Sequence, residues 1–189
     1  MGTNSKIGWT HHTANFWWGC NKVSSGCMHC YIYGTMRRAG VKQPFNGPIR
    51  LSGIWEDVPR WNRRAAKAGE RHRVFTCSMS DFFHQGADKW RADAWNLIRE
   101  ATNLDWLILS KRPELIADRL PADWGHKWPH VWLGATVENS QELRRIEILK
   151  AIPAAILTLL VDITDPVEVH EPPFLLSCSV AACDDPVQP

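Results

Sequence analysis

With 189 residues the chain is long enough for one domain with a sizeable core and too short for two full ones. Hydrophobic residues at 44% and charged residues at 22% exclude a disordered chain, and a formal net charge of +2 is too small to imply a nucleic-acid partner by itself. No stretch reaches the roughly 18 apolar residues of a membrane span, and Met1 to Thr10 lacks the apolar centre of a signal peptide. A cytoplasmic location without membrane contact is therefore expected, where clustered cysteines point to metal or redox chemistry before disulfides.

Taken in order, Ile7-Gly8-Trp9-Thr10 and then Phe16-Trp17-Trp18-Gly19 read as a strand that leads into a loop holding Cys20, Cys27 and Cys30. Tyr31 to Ala39 reads as a short helix stopped by Gly40, and Gln43 to Pro59, punctuated by prolines and glycines, as a long connection. Arg60, Arg63, Arg64, Lys67, Arg71 and Arg73 form a basic run, which fits a solvated face or, with Trp55 and Trp61, a nucleic-acid contact.

The pattern then becomes regular. Val74 to Ser80 is a strand, and Trp90, Ala94, Leu97, Ile98 and Ala101 place one apolar stripe on a helix over Asp88 to Thr102. Trp106 to Leu109 is an apolar strand with the polar tip Ser110-Lys111-Arg112, and Pro113 opens a helix to Leu120. Val131 to Val137 is the next strand, Gln141 to Ala151 the next helix and Ala155 to Val161 one more strand. Such alternation predicts an α/β fold, a parallel sheet or partial barrel of about five strands over 1–163. Residues 164–189, rich in proline, read as an irregular tail.

In parallel α/β folds chemistry collects at the carboxyl ends of the strands, so the tips are the candidate site. They are Cys20 to Cys30, Ser78 to Asp81, Ser110 to Arg112 and Thr136 to Asn139. The spacing C-x6-C-x2-C is compatible with an iron-sulfur cluster that has one open iron, or with zinc whose fourth ligand is His29, His11 or His12, or with unligated thiols. The eleven tryptophans serve either as core or as stacking surfaces.

The loop Gly19-Cys20-Asn21-Lys22-Val23-Ser24-Ser25-Gly26-Cys27-Met28-His29-Cys30-Tyr31 resembles the opening signature of a phage-associated, largely uncharacterised radical S-adenosylmethionine family. Three later segments are similar as well: Ser78-Met79-Ser80-Asp81-Phe82-Phe83-His84, Leu109-Ser110-Lys111-Arg112-Pro113 and Trp132-Leu133-Gly134-Ala135-Thr136-Val137-Glu138. The resemblance runs from about Ile7 to Ala155. It implies a partial (β/α) barrel of the radical S-adenosylmethionine type in which Cys20, Cys27 and Cys30 hold a 4Fe-4S cluster and S-adenosyl-L-methionine completes the fourth iron.

The activity it implies is formation of a 5'-deoxyadenosyl radical on an unknown substrate, fed by an electron donor such as a flavodoxin or ferredoxin. Cofactor contacts are implied for Tyr31, Ser78, Ser80, Asp81, Lys111, Arg112 and Glu138. In this scheme Asp81 faces the cofactor ammonium, Lys111 and Arg112 its carboxylate or a substrate phosphate, Glu138 the ribose, and Tyr31 either packs on the adenine or plugs the core. His29 and His84 are candidate donors to cluster sulfurs, and Cys77 reads as a small buried hydrophobe. Where the family continues with an E-P-L-L-G-P strand end, this chain has Val161-Asp162-Ile163-Thr164-Asp165-Pro166, which implies a barrel incomplete at the C-terminus. Cys178 and Cys183 are too loosely spaced for a second cluster. The alternative reading is a zinc- or cluster-bearing nucleic-acid-binding module without catalysis.

Overall fold

Runs of β-branched and aromatic residues broken by glycine and proline give short strands here, and 3.6-residue apolar stripes give the helices between them. In the computed structural model, which describes residues 2–3, 5, 7–40, 47–126, 128–161 and 174–179, the elements are β1 (Gly2–Thr3), β2 (His12–Ala14), β3 (Trp17–Trp18), α1 (Tyr31–Arg38), β4 (Ile49–Arg50), α2 (Ile54–Ala68), β5 (His72–Thr76), α3 (Asp88–Glu100), β6 (Leu104–Ser110), β7 (Val131–Val137), α4 (Arg144–Lys150), β8 (Ile156–Val161) and β9 (Phe174–Ser179). No helix among the described residues is long and apolar enough to cross a membrane.

The main sheet runs β1-β2-β5-β6-β7-β8-β9, with β2, β5, β6, β7 and β8 parallel and the two outer strands antiparallel. The protein is thus α/β with a five-stranded parallel core. Each parallel strand pairs with its successor, so every crossover steps the same way. Right-handed crossovers then put their helices on one face and bring all the carboxyl ends to one rim. β6 and β7 are buried along almost their whole length, as continuous apolar strands covered on both faces should be.

Sequence and structure differ at four places. The sheet strand before the cysteine loop is His12–Ala14, and Trp17–Trp18 instead pairs with Ile49–Arg50 in a two-stranded ribbon. Asn15 causes the departure: its side-chain oxygen accepts from the Met79 amide at 2.8 Å and its amide donates to the Ser78 hydroxyl at 3.0 Å, which ends pairing at residue 14. The second difference is α2, whose first six residues, Ile54 to Pro59, fall where the prolines predict a connection. Ile54, Val58, Trp61 and Ala65 form a fully buried i, i+4, i+7, i+11 stripe that outweighs the missing amide of Pro59, and Gly69 closes the helix at φ +65°.

Third, the helix expected over Glu114 to Leu120 is two short 3₁₀ turns, Pro113–Leu115 and Ala117–Arg119. Pro121 forces Leu120 into an extended conformation, and the few residues left between prolines are too few for a cooperative α-helix. Fourth, part of the segment read as irregular forms β9, antiparallel to β8 from Ile156–Ser179 to Val161–Phe174. The rest of that segment, with Cys183, lies outside the described residues.

None of the eleven tryptophans is fully exposed. Trp17, Trp61, Trp95, Trp106, Trp124 and Trp128 are buried, and Trp95 meets Phe82, Trp124 and Trp128 at ring separations of 4.9, 5.7 and 5.7 Å. The indoles are therefore core material, and the stacking role expected for Trp61 is taken by its contact with the His12 ring at 4.4 Å.

Candidate functional site

The cysteine loop follows β3 and is tied to the residues after β5 before its first thiol. Gly19 donates its amide to the Met79 carbonyl at 3.0 Å and accepts from the Ser80 hydroxyl at 2.5 Å. At φ +107°, with the Gly47 carbonyl 2.5 Å from where a Cβ would stand, only glycine fits there. A 3₁₀ turn over Ser25–Cys27 then carries Cys27 inward, and Cys30 stands just ahead of α1.

Cys20, Cys27 and Cys30 are free thiols that open onto one cavity of about 360 Å³. Tyr31, Ser78, Ser80, Asp81, Lys111 and Arg112 line the same cavity, with Trp9, Phe75, Leu109 and Leu160 as its apolar wall. The tips of β5 and β6 are thus brought to the thiols. Cys77, 4% exposed, is a fourth thiol on this wall, and burial pushes it up to about 12. The sequence places it mid-strand as plain core, whereas it directly follows the end of β5 at Thr76, one residue before the Ser78 tip.

Glu138 does not line the cavity; it lies beneath the loop at 0% exposure. Ser24 and Lys111 donate to its Oε1, Lys111 at 2.8 Å, and the buried Arg145 donates to Oε2 at 2.5 Å. Burial works against the charge, but the hydrogen bonds of Lys111 and Ser24 and the charges of Lys111 and Arg145 outweigh it and hold the carboxyl below its usual range. Gly26 is the complement: a Cβ there would come 2.1 Å from the Glu138 Cγ. One carboxylate therefore clamps the loop to β6, β7 and α4, a role the sequence reading did not include.

Asp81 is similarly engaged. Its carboxylate accepts from the Ser110 hydroxyl at 2.9 Å, the Phe83 amide at 2.9 Å and the Lys111 amide at 3.0 Å, which locks the β5 and β6 tips together. Arg112 donates to the Asn21 carbonyl at 2.6 Å and reaches Cys20 Sγ at 3.7 Å, while its buried Nε has no partner. Burial and the Asp81 charge raise the Cys20 pKa against the pull of Arg112, so without a metal Cys20 stays a thiol at neutral pH. The Ser24 hydroxyl lies 3.7 Å from Cys27 Sγ.

The histidines offered as zinc ligands do not gather here. His11 and His12 sit where β2 begins; His12 Nε2 is 3.1 Å from His72 Nδ1 and the His11 ring stacks on His72. His29 is exposed on the loop. Among the described residues no three His, Cys, Asp or Glu side chains converge to hold a single metal ion. Three thiols spread around one cavity, two of them with polar neighbours at their sulfurs, still have the donor chemistry of a cysteine-ligated iron-sulfur cluster.

His84 does not touch a thiol. Its Nδ1 accepts from the Gly86 amide at 3.0 Å, which places the proton on Nε2, facing Asn21 Oδ1 at 2.9 Å. Burial, then the charges of Arg112 and Arg91, lower its pKa from 6.5 to about 4. Between those values the unfolded chain binds the proton and the folded chain does not. Stability is therefore expected to be full above pH 6.5 and to fall as pH drops toward 4. In urea titrations across this window His84→Asn, which keeps a capping acceptor and does not titrate, should flatten the fall; an unchanged slope contradicts the assignment.

The family described as "Protein of unknown function (DUF5131)" matches residues 4–163. The chain belongs to the DUF5131 family. No curated protein and no solved structure matches it. The DUF5131 match takes in the cysteine loop and the other three candidate strand tips, and it stops two residues after β8, before β9.

Proposed function

We propose that this DUF5131 chain is a radical S-adenosylmethionine protein built on a partial (β/α) barrel. The observation that carries the proposal is the shared cavity: Cys20, Cys27 and Cys30 open onto it together with Asp81, Lys111 and Arg112 at the carboxyl ends of parallel strands. Cys20, Cys27 and Cys30 would hold a 4Fe-4S cluster, and Tyr31, Ser78, Ser80 and Arg112 would face S-adenosyl-L-methionine. When bound, that pair supplies one-electron chemistry ending in hydrogen abstraction by a 5'-deoxyadenosyl radical.

The chain's own part is orientation. Glu138 and Ser24 fix the loop, Asp81 fixes the two tips, and the apolar wall of Trp9, Phe75, Leu109 and Leu160 keeps water from the reacting atoms. The engaged oxygens of Glu138 and Asp81 make both of them positioning residues in this reading. The alternative, a nucleic-acid module resting on Arg60, Arg63, Arg64 and Lys67, loses its aromatic half, because Trp61 is buried and Trp55 lies beneath Arg50 at 4.2 Å.

Anaerobically purified or reconstituted protein is expected to be brown, with about four irons and four sulfides per chain. With a reductant and S-adenosyl-L-methionine it should release 5'-deoxyadenosine. Cys27→Ala should lose the iron and the product together; colourless protein carrying one zinc would sink the proposal.

A further inference from the structure

The cysteine loop and α1 present a surface that holding a cluster does not require. The first acidic residue of the chain is Glu56, and before it come Lys6, Lys22, Arg37, Arg38, Lys42 and Arg50. Of those nearest the loop, Lys22 donates to the Met28 carbonyl and Arg38 to the Thr35 hydroxyl, both neutral groups, and Arg37 is exposed. Val23, Met28 and Tyr31 stand out of this cationic ground, Met28 58% and Tyr31 59% exposed.

Tyr31 belongs to both the surface and the cavity. Its hydroxyl donates to the Ser78 carbonyl, so the ring is held at one end, and it lines the cavity beside Lys111 and Arg112. Tyr31, Thr35 and Arg38 follow at i, i+4 and i+7 on one side of α1, which sets Arg38 about 10 Å from Tyr31 along the helix axis. A fixed aromatic ring with Arg38 further along its own side of α1, and with Lys22 nearby over the Tyr33 ring at 5.2 Å, is an arrangement suited to an unpaired nucleotide strand: phosphates lie on the cations and a base stacks on the ring. An acidic protein would answer the charge alone. It gives no reason for the ring to continue into the cavity wall.

We propose that the cysteine loop and α1 bind single-stranded nucleic acid, with a base stacked on Tyr31 and phosphates on Lys22, Arg37 and Arg38. A nucleotide is then the substrate class presented to the cavity, and that last step rests on the radical reading above. The surface differs from the basic face of α2.

The test is fluorescence anisotropy of labelled oligothymidylate and oligouridylate, each 20 nucleotides long, on the full chain before and after cluster loading. Three phosphate contacts to a single strand predict a log-log salt slope of about −2, and Arg38→Glu and Lys22→Glu should each make it shallower by about 0.7. Tyr31→Leu should weaken binding by about five-fold or more, whereas Tyr31→Phe, which keeps the ring and loses the hydroxyl, should retain it. Circular dichroism checks folding, and if Tyr31→Leu does not fold, the charge variants decide alone. Equal competition by polyglutamate, or a Tyr31→Leu protein that binds like the parent, would overturn the proposal. Oligonucleotide binding by a chain that takes up no iron supports the surface and overturns the substrate assignment.

Discussion

Glu138→Ala is expected to lower the free energy of unfolding by about 3–5 kcal/mol, the usual loss when one partner of a buried ion pair is removed. The reason lies in what stays behind. Arg145 is 1% exposed and would keep only Glu142 as its acidic partner, at 3.1 Å, whereas Lys111 is partly exposed and can rehydrate. The loop would also lose the oxygen that holds Ser24. Urea unfolding should show the loss, and iron uptake after reconstitution should fall with it. Glu138→Gln keeps the shape and some of the hydrogen bonds but not the charge, so it should fall between the two. An alanine variant within about 1 kcal/mol of the parent would mean that this network does not anchor the loop.

Trp17→Ala is expected to cost a similar amount, about 3–5 kcal/mol, because a fully buried indole leaves a cavity that the neighbours fill only in part. Trp17 stacks on Phe82 at 5.2 Å and donates its indole N–H to the Asp81 carbonyl at 3.1 Å. It therefore couples the aromatic core to the residue that locks the β5 and β6 tips. Trp17→Phe should retain most of the packing and lose about 1 kcal/mol for the hydrogen bond. Equal losses for the two variants would show that the hydrogen bond, and not the volume, dominates.

Much of this was legible in the sequence where a single physical signal acted alone. Leu104–Ser110 and Val131–Val137 are apolar runs with polar tips, and they are buried strands with Lys111 and Glu138 at their ends. Thiol spacing located the loop, and the rule that parallel strands present their carboxyl ends together located the cavity. Competing signals hid the rest. Pro59 read as a break because local propensity does not register the buried stripe that holds α2 together. Glu138 read as a ligand contact because sequence does not show that Gly26, more than a hundred residues earlier, leaves room for it. His11 and His12 read as metal ligands near the loop because distance along the chain stood in for distance in space. Cys77 read as a small buried hydrophobe and is one, 4% exposed in the main core; the part the sequence did not show is that it also borders the cavity.

The two antiparallel outer strands carry a consequence for the size of what can reach the thiols. Among the described residues, with β1 on one edge and β9 on the other, the five parallel strands form the middle of an open sheet that does not close on itself. A closed tube admits only what fits through its mouth. An open sheet sets no such limit, so under the proposed reading a long chain would not have to pass through a mouth to reach Cys20, Cys27 and Cys30.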